Sequence, residues 1–417
     1  VLGSNEWAAR LPNALAFIGT GLLVFGLGRR FCPARPWLPA VIYALSLAPV
    51  LGANVVSTDA LLTFFEAAAM YAFVRACLDQ GEVDRRWLRI MWLAWGLAFM
   101  TKGPPGLLPL LAMIVMLGFH DRRALARLFD PIGLATFAVV GFTWFAILIA
   151  QEPDRLGYFV GYEVYDRVFT SAHDRNAEWY APFQIFGPMF LLGSLPWWIL
   201  ALGAAGGPRK AWSTFRAKLG AGDRDLRLLA WWFLLPLTIF SLAQSRLQLY
   251  VLPLFVPLSL LLARPLASWS WLGGRRLVVV AAVTGIALIS LKGFAGHVKS
   301  ERDSRDMARA IETIIDPRSV DGIVFVNMRP FYGLNVYLDT NIEGVQINET
   351  RWDYSKFVAE EDLCSELAGP EKYVYALKES KVERFREGVL RCEGMQPELL
   401  GHFDADGNQI ALFTVRQ

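Results

Sequence analysis

Ten apolar stretches run through the first 297 residues, at about 11–31, 37–56, 60–78, 87–101, 104–119, 131–150, 183–203, 228–244, 247–263 and 275–296. Many approach the roughly 20 residues that a bilayer crossing needs. A chain inside lipid must satisfy its own backbone polar groups, so these stretches are restricted to helices. The loops between them alternate in charge. Those around 28–37, 75–89, 120–129, 207–227 and 264–276 hold nineteen Lys and Arg residues, and the intervening ones hold six. Polytopic membrane proteins keep their Lys/Arg excess in cytoplasmic loops. Residues 1–10, the 151–182 connection and everything after residue 297 are therefore expected on the opposite side. With 54% hydrophobic and 19% charged residues among 417, the composition is that of a membrane protein, and a net charge of +3 gives nucleic acid little to bind.

The chain opens on Val1 rather than Met, and residues 2–10 form a polar loop rather than a signal peptide. This start reads as a truncation. After His297 the composition becomes globular. Helical spacing marks 306–315, 355–367 and 381–390, and strand-like runs occupy 322–326, 372–377 and 409–415. Residues 298–417 are thus expected to form a small α/β domain outside the cytoplasm. Cys32 and Cys77 end spans on the arginine-rich side, whereas Cys364 and Cys392 share the C-terminal domain. An extracytoplasmic location makes Cys364 and Cys392 a candidate disulfide, with two unpaired buried thiols as the alternative. None of the four has metal-like CxxC spacing.

Chemistry is sought among the few ionisable residues of the sparsely charged side, since a charge kept among so much apolar sequence is a functional candidate by default. Asp59 follows Ser57-Thr58 at the start of a span, where it can orient a hydroxyl, bind a metal or cap a helix. Lys102 lies in Met-Thr-Lys-Gly-Pro-Pro-Gly, a stiff turn suited to presenting a compact cation to a phosphate. A snorkelling lysine is the plainer explanation. The 151–182 connection mixes rings and charges, including Glu163, Tyr165, Arg167 and His173. Arg167 can grip a phosphate bidentately. His173 with Asp174 and Glu178 is too loose a set to define a metal site, and a solvated loop explains it as well. Arg246, in a tight turn before an apolar span, is either a second phosphate-facing cation or an interfacial anchor beside Tyr250. Cations gathered on one face suit the stabilisation of a departing phosphate. On this side of the membrane, a sugar linked to a lipid phosphate is the natural activated donor.

Several segments resemble, in order, the lipid-carrier-dependent glycosyltransferases of the GT-C fold. They are Asn5-Glu6-Trp7-Ala8-Ala9-Arg10-Leu11-Pro12, Ser57-Thr58-Asp59, Thr101-Lys102-Gly103-Pro104, Ala181-Pro182-Phe183, Gly193-Ser194-Leu195-Pro196-Trp197 and Leu249-Tyr250-Val251-Leu252-Pro253. The nearest group is the aminoarabinose transferase branch, related to protein O-mannosyltransferases, and the likeness covers about residues 5–265. It implies a GT-C-like polytopic α-helical membrane protein with a small C-terminal α/β extracytoplasmic domain. It also implies inverting transfer of a sugar from a polyprenyl phosphate to an acceptor at the outer face of a bacterial inner membrane, with the C-terminal domain periplasmic.

In that resemblance Asp59 matches the family's second acidic position and acts on the sugar or acceptor. Lys102 and Arg167 match cations that hold the carrier phosphate. Arg246 keeps the charge of a Lys-Leu-Pro turn whose proline is replaced here by Gln248. The family's first external loop, with its leading carboxylate, is expected before Val1 together with a first span, so the chain as it stands is expected to be inactive. Some relatives place a His near Glu163, where this chain has Tyr162 and Tyr165. No metal ligand is therefore assigned, and a divalent cofactor stays open. The acceptor is lipid A, another envelope glycan or, in a mannosyltransferase-type enzyme, a protein. A transporter or lipid flippase and a non-catalytic scaffold are the competing classes. The loop position of the charges and the lack of an inverted repeat speak against the first.

Overall fold

In the computed structural model of the chain, residues 5–78, 83–120, 122–153, 155–166, 169–170, 176–298, 303–345, 364, 367–369, 371–392, 394–405 and 407–416 are described. Two compact units emerge, Arg10–Leu291 and a second made of Lys292–Gln417 with Val1–Ala9.

In the first unit the apolar stretches are helical. Helix α1 (Glu6–Phe31) is followed by α2 (Leu38–Ala44), α3 (Leu47–Asn54), α4 (Asp59–Cys77) and α5 (Arg85–Lys102). Then come α6 (Leu108–His120), α7 (Arg122–Arg127), α8 (Pro131–Gln151), α9 (Ala181–Gly193), α10 (Trp197–Ala204), α11 (Pro208–Gly220), α12 (Arg224–Leu242), α13 (Phe255–Ala267) and α14 (Gly274–Ala295). Six helices are long and apolar enough to cross a membrane among the described residues, or seven if the bent pair α9 and α10 is one span. The ten stretches expected from sequence are therefore helical without all being simple spans, for local reasons. Stretch 37–56 breaks at Ser46, whose hydroxyl donates to the Ile42 carbonyl (2.6 Å) before α3 restarts. Stretch 183–203 bends by 74° between α9 and α10. Stretch 247–263 begins as a 3-10 segment, Gln248–Leu254, containing Pro253. Helix α5 carries Arg85, Arg86, Arg89 and Lys102, too many charges for a simple apolar crossing.

The interior is built around α4 and α5, where Met70, Phe73, Met91 and Trp95 are fully buried. Helices α8 and α14 instead turn Val139, Phe142, Ile147, Val283, Ile286 and Ile289 outward, as lipid-facing helices do.

The second unit is a five-stranded sheet of order β2-β1-β3-β5-β4. Strand β1 (Gly322–Val326) is parallel to β2 (Asn341–Val345) and β3 (Tyr373–Lys378), while β5 (Asn408–Arg416) is antiparallel to β3 and to β4 (Gln396–Ala405). Helices α15 (Ser304–Glu312) and α16 (Leu334–Leu338) pack Met307, Ile311 and Leu334 against one face with Phe325 and Leu412. Helix α17 (Val382–Leu390) packs Phe385 and Val389 on the other with Val324 and Tyr375. All five residues of β1 are buried, as a central parallel strand requires. Strands β2 and β4 are absent from the sequence expectation. Both lie at sheet edges, and β4 contains Pro397 and a register shift between Leu399 and Gly401. These features hide alternation and are confined to edges and bulges. Residues 355–363 of the expected 355–367 helix lie outside the described residues. Cys364 and Cys392 are disulfide-bonded with Cα atoms 5.4 Å apart, whereas Cys32 and Cys77 are free.

Candidate active site

Three segments of the first unit converge on one ion pair. Asp59 is the first helical residue of α4, next to the N-cap Thr58, which makes no side-chain cap. Its position in the first turn suits the positive end of the helix. Its carboxylate does not cap but accepts from the Lys102 ammonium through Oδ1. The loop before it is tied down by Asn13, whose Nδ2 donates to the Val55 carbonyl (2.5 Å). Lys102 is the last residue of α5. Gly103 follows with φ +67°, a conformation that favours glycine. The chain then folds back so tightly that a Cβ on Gly106 would lie 2.6 Å from the Ala98 carbonyl oxygen. The glycines and prolines of the turn thus set the direction of Lys102. From the third segment, Tyr250 places its ring 4.6 Å from the Lys102 Nζ. The side chains of Lys102 and Asp59 are only 18% and 9% exposed, so the charges are largely removed from water. Such a pair gains little net stability over an apolar one. What the pair does is hold an ammonium in place at a site with little water.

Sequence reasoning missed Glu66. It lies two turns beyond Asp59 on α4, on the same helix face, and is 3% exposed. It is within electrostatic range of both Lys102 and Asp59. The legible signal was a carboxylate inside an apolar span at seven-residue spacing. Asp59 thus holds a fixed cation, and Glu66 shares its helix face. Among the described residues, no group of three or more His, Cys, Asp or Glu side chains is arranged to hold a metal ion.

The other expected site residues are distributed differently. Arg246 is 4% exposed, and its guanidinium donates to backbone carbonyls of Ser241 (3.0 and 3.3 Å), Asn176 (2.6 Å) and Glu178 (3.0 Å). Asn176 Nδ2 in turn donates to the Arg246 carbonyl (2.9 Å). The arginine therefore clasps the end of the 151–182 connection. Desolvation lowers its pKa from the ordinary value, and the nearby Glu178 charge opposes that shift. Glu163 accepts from the Tyr158 hydroxyl (2.7 Å) within a π-helical run, Tyr158–Asp166. Tyr165 is exposed, and its ring is tilted against that of Phe169 with centroids 5.3 Å apart. Arg167 and His173 lie outside the described residues. The structure thus joins Asp59 to Lys102 and adds Glu66 and Tyr250.

Comparison with known proteins agrees with this architecture. Residues 1–149 match the family model described as dolichyl-phosphate-mannose-protein mannosyltransferase. An undecaprenyl phosphate-alpha-4-amino-4-deoxy-L-arabinose arabinosyl transferase from Erwinia tasmaniensis is 30% identical over 312 residues, 71% of this chain and 54% of that protein. One of the same name from Aeromonas hydrophila is 33% identical over 269 residues, 63% and 47% of the two chains. The chain therefore spans about half the length of the curated relatives it matches. Among solved structures, ArnT from Cupriavidus metallidurans in the apo state superposes with a TM-score of 0.71 at 18% identity, covering 98% of this chain and 83% of the other. The same protein bound to undecaprenyl phosphate gives 0.66 at 17%, covering 98% and 84%. The chain is thus similar in sequence to the aminoarabinose transferases that use a lipid carrier, and it has the GT-C-like membrane fold of ArnT with a small C-terminal α/β unit.

Proposed function

We propose that the protein is an inverting glycosyltransferase that moves a sugar from a polyprenyl phosphate to an acceptor at the outer face of a bacterial inner membrane. The acceptor is a lipid A phosphate or a similar envelope glycan. The observation that carries this reading is the buried Lys102–Asp59 pair beneath the Tyr250 ring, on the sparsely charged side of a chain with this fold. In the reaction an acceptor oxygen forms a bond to the anomeric carbon while the bond from that carbon to the carrier phosphate oxygen breaks, and the electron pair leaves with the phosphate. The phosphate gains charge as it departs. Lys102 stabilises that charge in exchange for its bond to Asp59, and a preorganised cation in a dry site is effective in this role. Freed from the lysine, Asp59 orients the sugar or acceptor. Arg167 is assigned as a second phosphate ligand. Glu163, Tyr165 and His173 are assigned to the substrate-facing loop that Arg246 anchors. An acceptor phosphate is already nucleophilic, whereas a Ser or Thr hydroxyl needs a general base.

Residues 1–297 are assigned the transfer reaction and 298–417 acceptor selection, with the latter in the periplasm. The Cys364–Cys392 disulfide supports an oxidising compartment for that unit, and the free Cys32 and Cys77 suit the opposite side. The match to the mannosyltransferase family favours, as a second reading, a protein acceptor.

Lipid mass spectrometry on cells with and without the intact gene tests the proposal. Loss of one sugar from lipid A, with its carrier-linked form accumulating, is expected. Accumulated donor with unchanged lipid A moves the acceptor to protein or another glycan. No change in either pool under expressing conditions removes the transferase reading and favours a transporter.

A further inference from the structure

The connection richest in Lys and Arg, residues 207–227, carries a helix of its own, α11 (Pro208–Gly220). None of its 13 residues is buried. Ala211, Phe215 and Leu219 recur at four-residue spacing on one face and are half-buried. Beside that face runs a second stripe, Arg209, Trp212 and Arg216, at the three- and four-residue steps of a helix edge. All three are exposed, Trp212 by 61%, and its ring stacks on Phe215 with centroids 5.9 Å apart. Lys210 and Lys218 point away from this stripe, on other sides of the helix. Cations on a polar face beside Trp, Phe and Leu are the composition of a helix that lies along a membrane surface.

The placement of charge opposes the helix itself. A helix favours carboxylates in its first turn, yet α11 has Arg209 and Lys210 near its start, no acidic residue in the first turn and no side-chain cap from Gly207. Helix α12, next in the chain, follows the rule with Asp223 as cap and Asp225 in its first turn. Neither Arg209 nor Arg216 has a carboxylate partner among the described residues. Lys218 lies within electrostatic range of Asp223, which already binds Arg264 (2.7 Å) and the Leu226 N–H (2.9 Å). An external anion is therefore what this edge lacks. Both ends of α11 are fixed near the ends of membrane helices. It follows the bent pair α9 and α10 through Gly206 and Gly207, with φ of +80° and +100°. At its other end Arg227, from the first turn of the spanning helix α12, donates to the Leu219 carbonyl (2.9 and 3.3 Å).

We propose that α11 docks along the leaflet on the arginine-rich side, with Trp212 among the headgroups and Arg209 and Arg216 bound to phosphates of anionic phospholipids. The contact is independent of the reaction assigned to Lys102.

Hydrogen exchange of the full chain in nanodiscs tests the proposal, comparing phosphatidylcholine alone with phosphatidylcholine containing phosphatidylglycerol. Amides of α11 are expected to exchange on the order of tenfold more slowly with the anionic lipid, and ionic strength near about 1 M to erase the difference. Arg209→Gln with Arg216→Gln, or Trp212→Ser, is expected to remove most of that protection. Lys210→Gln with Lys218→Gln removes the same charge from other sides of the helix and is expected to keep most of it. Exchange in α15 should stay unchanged throughout, which separates these effects from misfolding. Equal exchange of the unaltered chain in both lipids would overturn the proposal. Equal loss in the two charge variants would reduce the effect to a general surface field and overturn the stripe. Protection that appears only in discs holding two chains would give the surface to a second copy instead.

Discussion

The two charged faces of the membrane unit handle ions in opposite ways. On the arginine-rich face the carboxylates stabilise structure. Asp84 caps α5 by accepting from Arg86 N–H (2.9 Å), Asp130 caps α8 through Gly133 N–H (2.9 Å), and Asp223 caps α12 through Leu226 N–H (2.9 Å). Asp130 also binds Arg89 (3.2 Å), and Asp223 binds Arg264 (2.7 Å). On the sparse face the helix starts at Thr58 and Tyr180 lack side-chain caps, and Asp59 is turned to Lys102. A carboxylate in a first helical turn that is committed to a buried cation, beside an N-cap left without a side-chain bond, departs from the local rule followed on the other face. Arg246 shows that position alone does not decide the matter, since it lies on the sparse side yet serves as a backbone clasp.

The sharpest way to break this contrast is Lys102→Ala in the full-length protein. If the ammonium stabilises a departing phosphate, kcat should fall by about 10²- to 10³-fold. Removing one partner of a buried pair also destabilises, by about 3–5 kcal/mol. The double variant Lys102→Met with Asp59→Asn should therefore recover much of the thermal stability without recovering turnover. Recovery of both would reduce the pair to a structural bridge.

Arg246→Met should cost about 2–3 kcal/mol by stranding buried carbonyls. It should also speed proteolysis within 151–182, and Arg246→Lys should restore only part because an ammonium cannot span the same acceptors. Unchanged proteolysis would argue against the clasp. On the opposite face, Asp130→Ala should cost about 1 kcal/mol as a lost cap while leaving turnover unaltered; a large drop in kcat with intact stability would erase the distinction between the faces. The Gly133 N–H, together with Arg89, holds the Asp130 carboxyl below its usual range.

The smallest effect is expected outside the membrane unit. The Arg305 guanidinium hydrogen-bonds Asp303 and lowers its pKa in the folded chain. A depressed carboxylate contributes stability above its unfolded pKa and loses it as pH falls through the folded value. Asp303→Asn should therefore lower the unfolding midpoint slightly at pH 7, by less than about 1 kcal/mol for so exposed a pair. The difference should vanish as pH falls through the depressed value of the folded carboxyl; a difference that grows on acidification would reverse the sign.

Much of the fold was legible because membrane helices must be apolar and long. Glu66 was hidden by the same rule, since a single carboxylate barely alters a hydrophobic run such as Leu61 to Met70. Edge strands β2 and β4 were hidden because partial exposure blurs their alternation. Strand β1, buried throughout, was plain.

The sequence alone determined the helical membrane class and the asymmetry of charge, and it singled out Asp59 and Lys102 as candidates, because hydropathy, charge distribution and turn chemistry are local properties. Only the tertiary structure decided which charges meet. It brought α4, α5 and the Gln248–Leu254 segment together around one lysine and gave Arg246 to backbone carbonyls. It also opened an arginine-lined cavity between helices separated by as many as 196 positions, from Arg29 to Asp225. Those outcomes depend on packing between distant segments, where the cost of burying a charge is met by whichever partner the fold supplies.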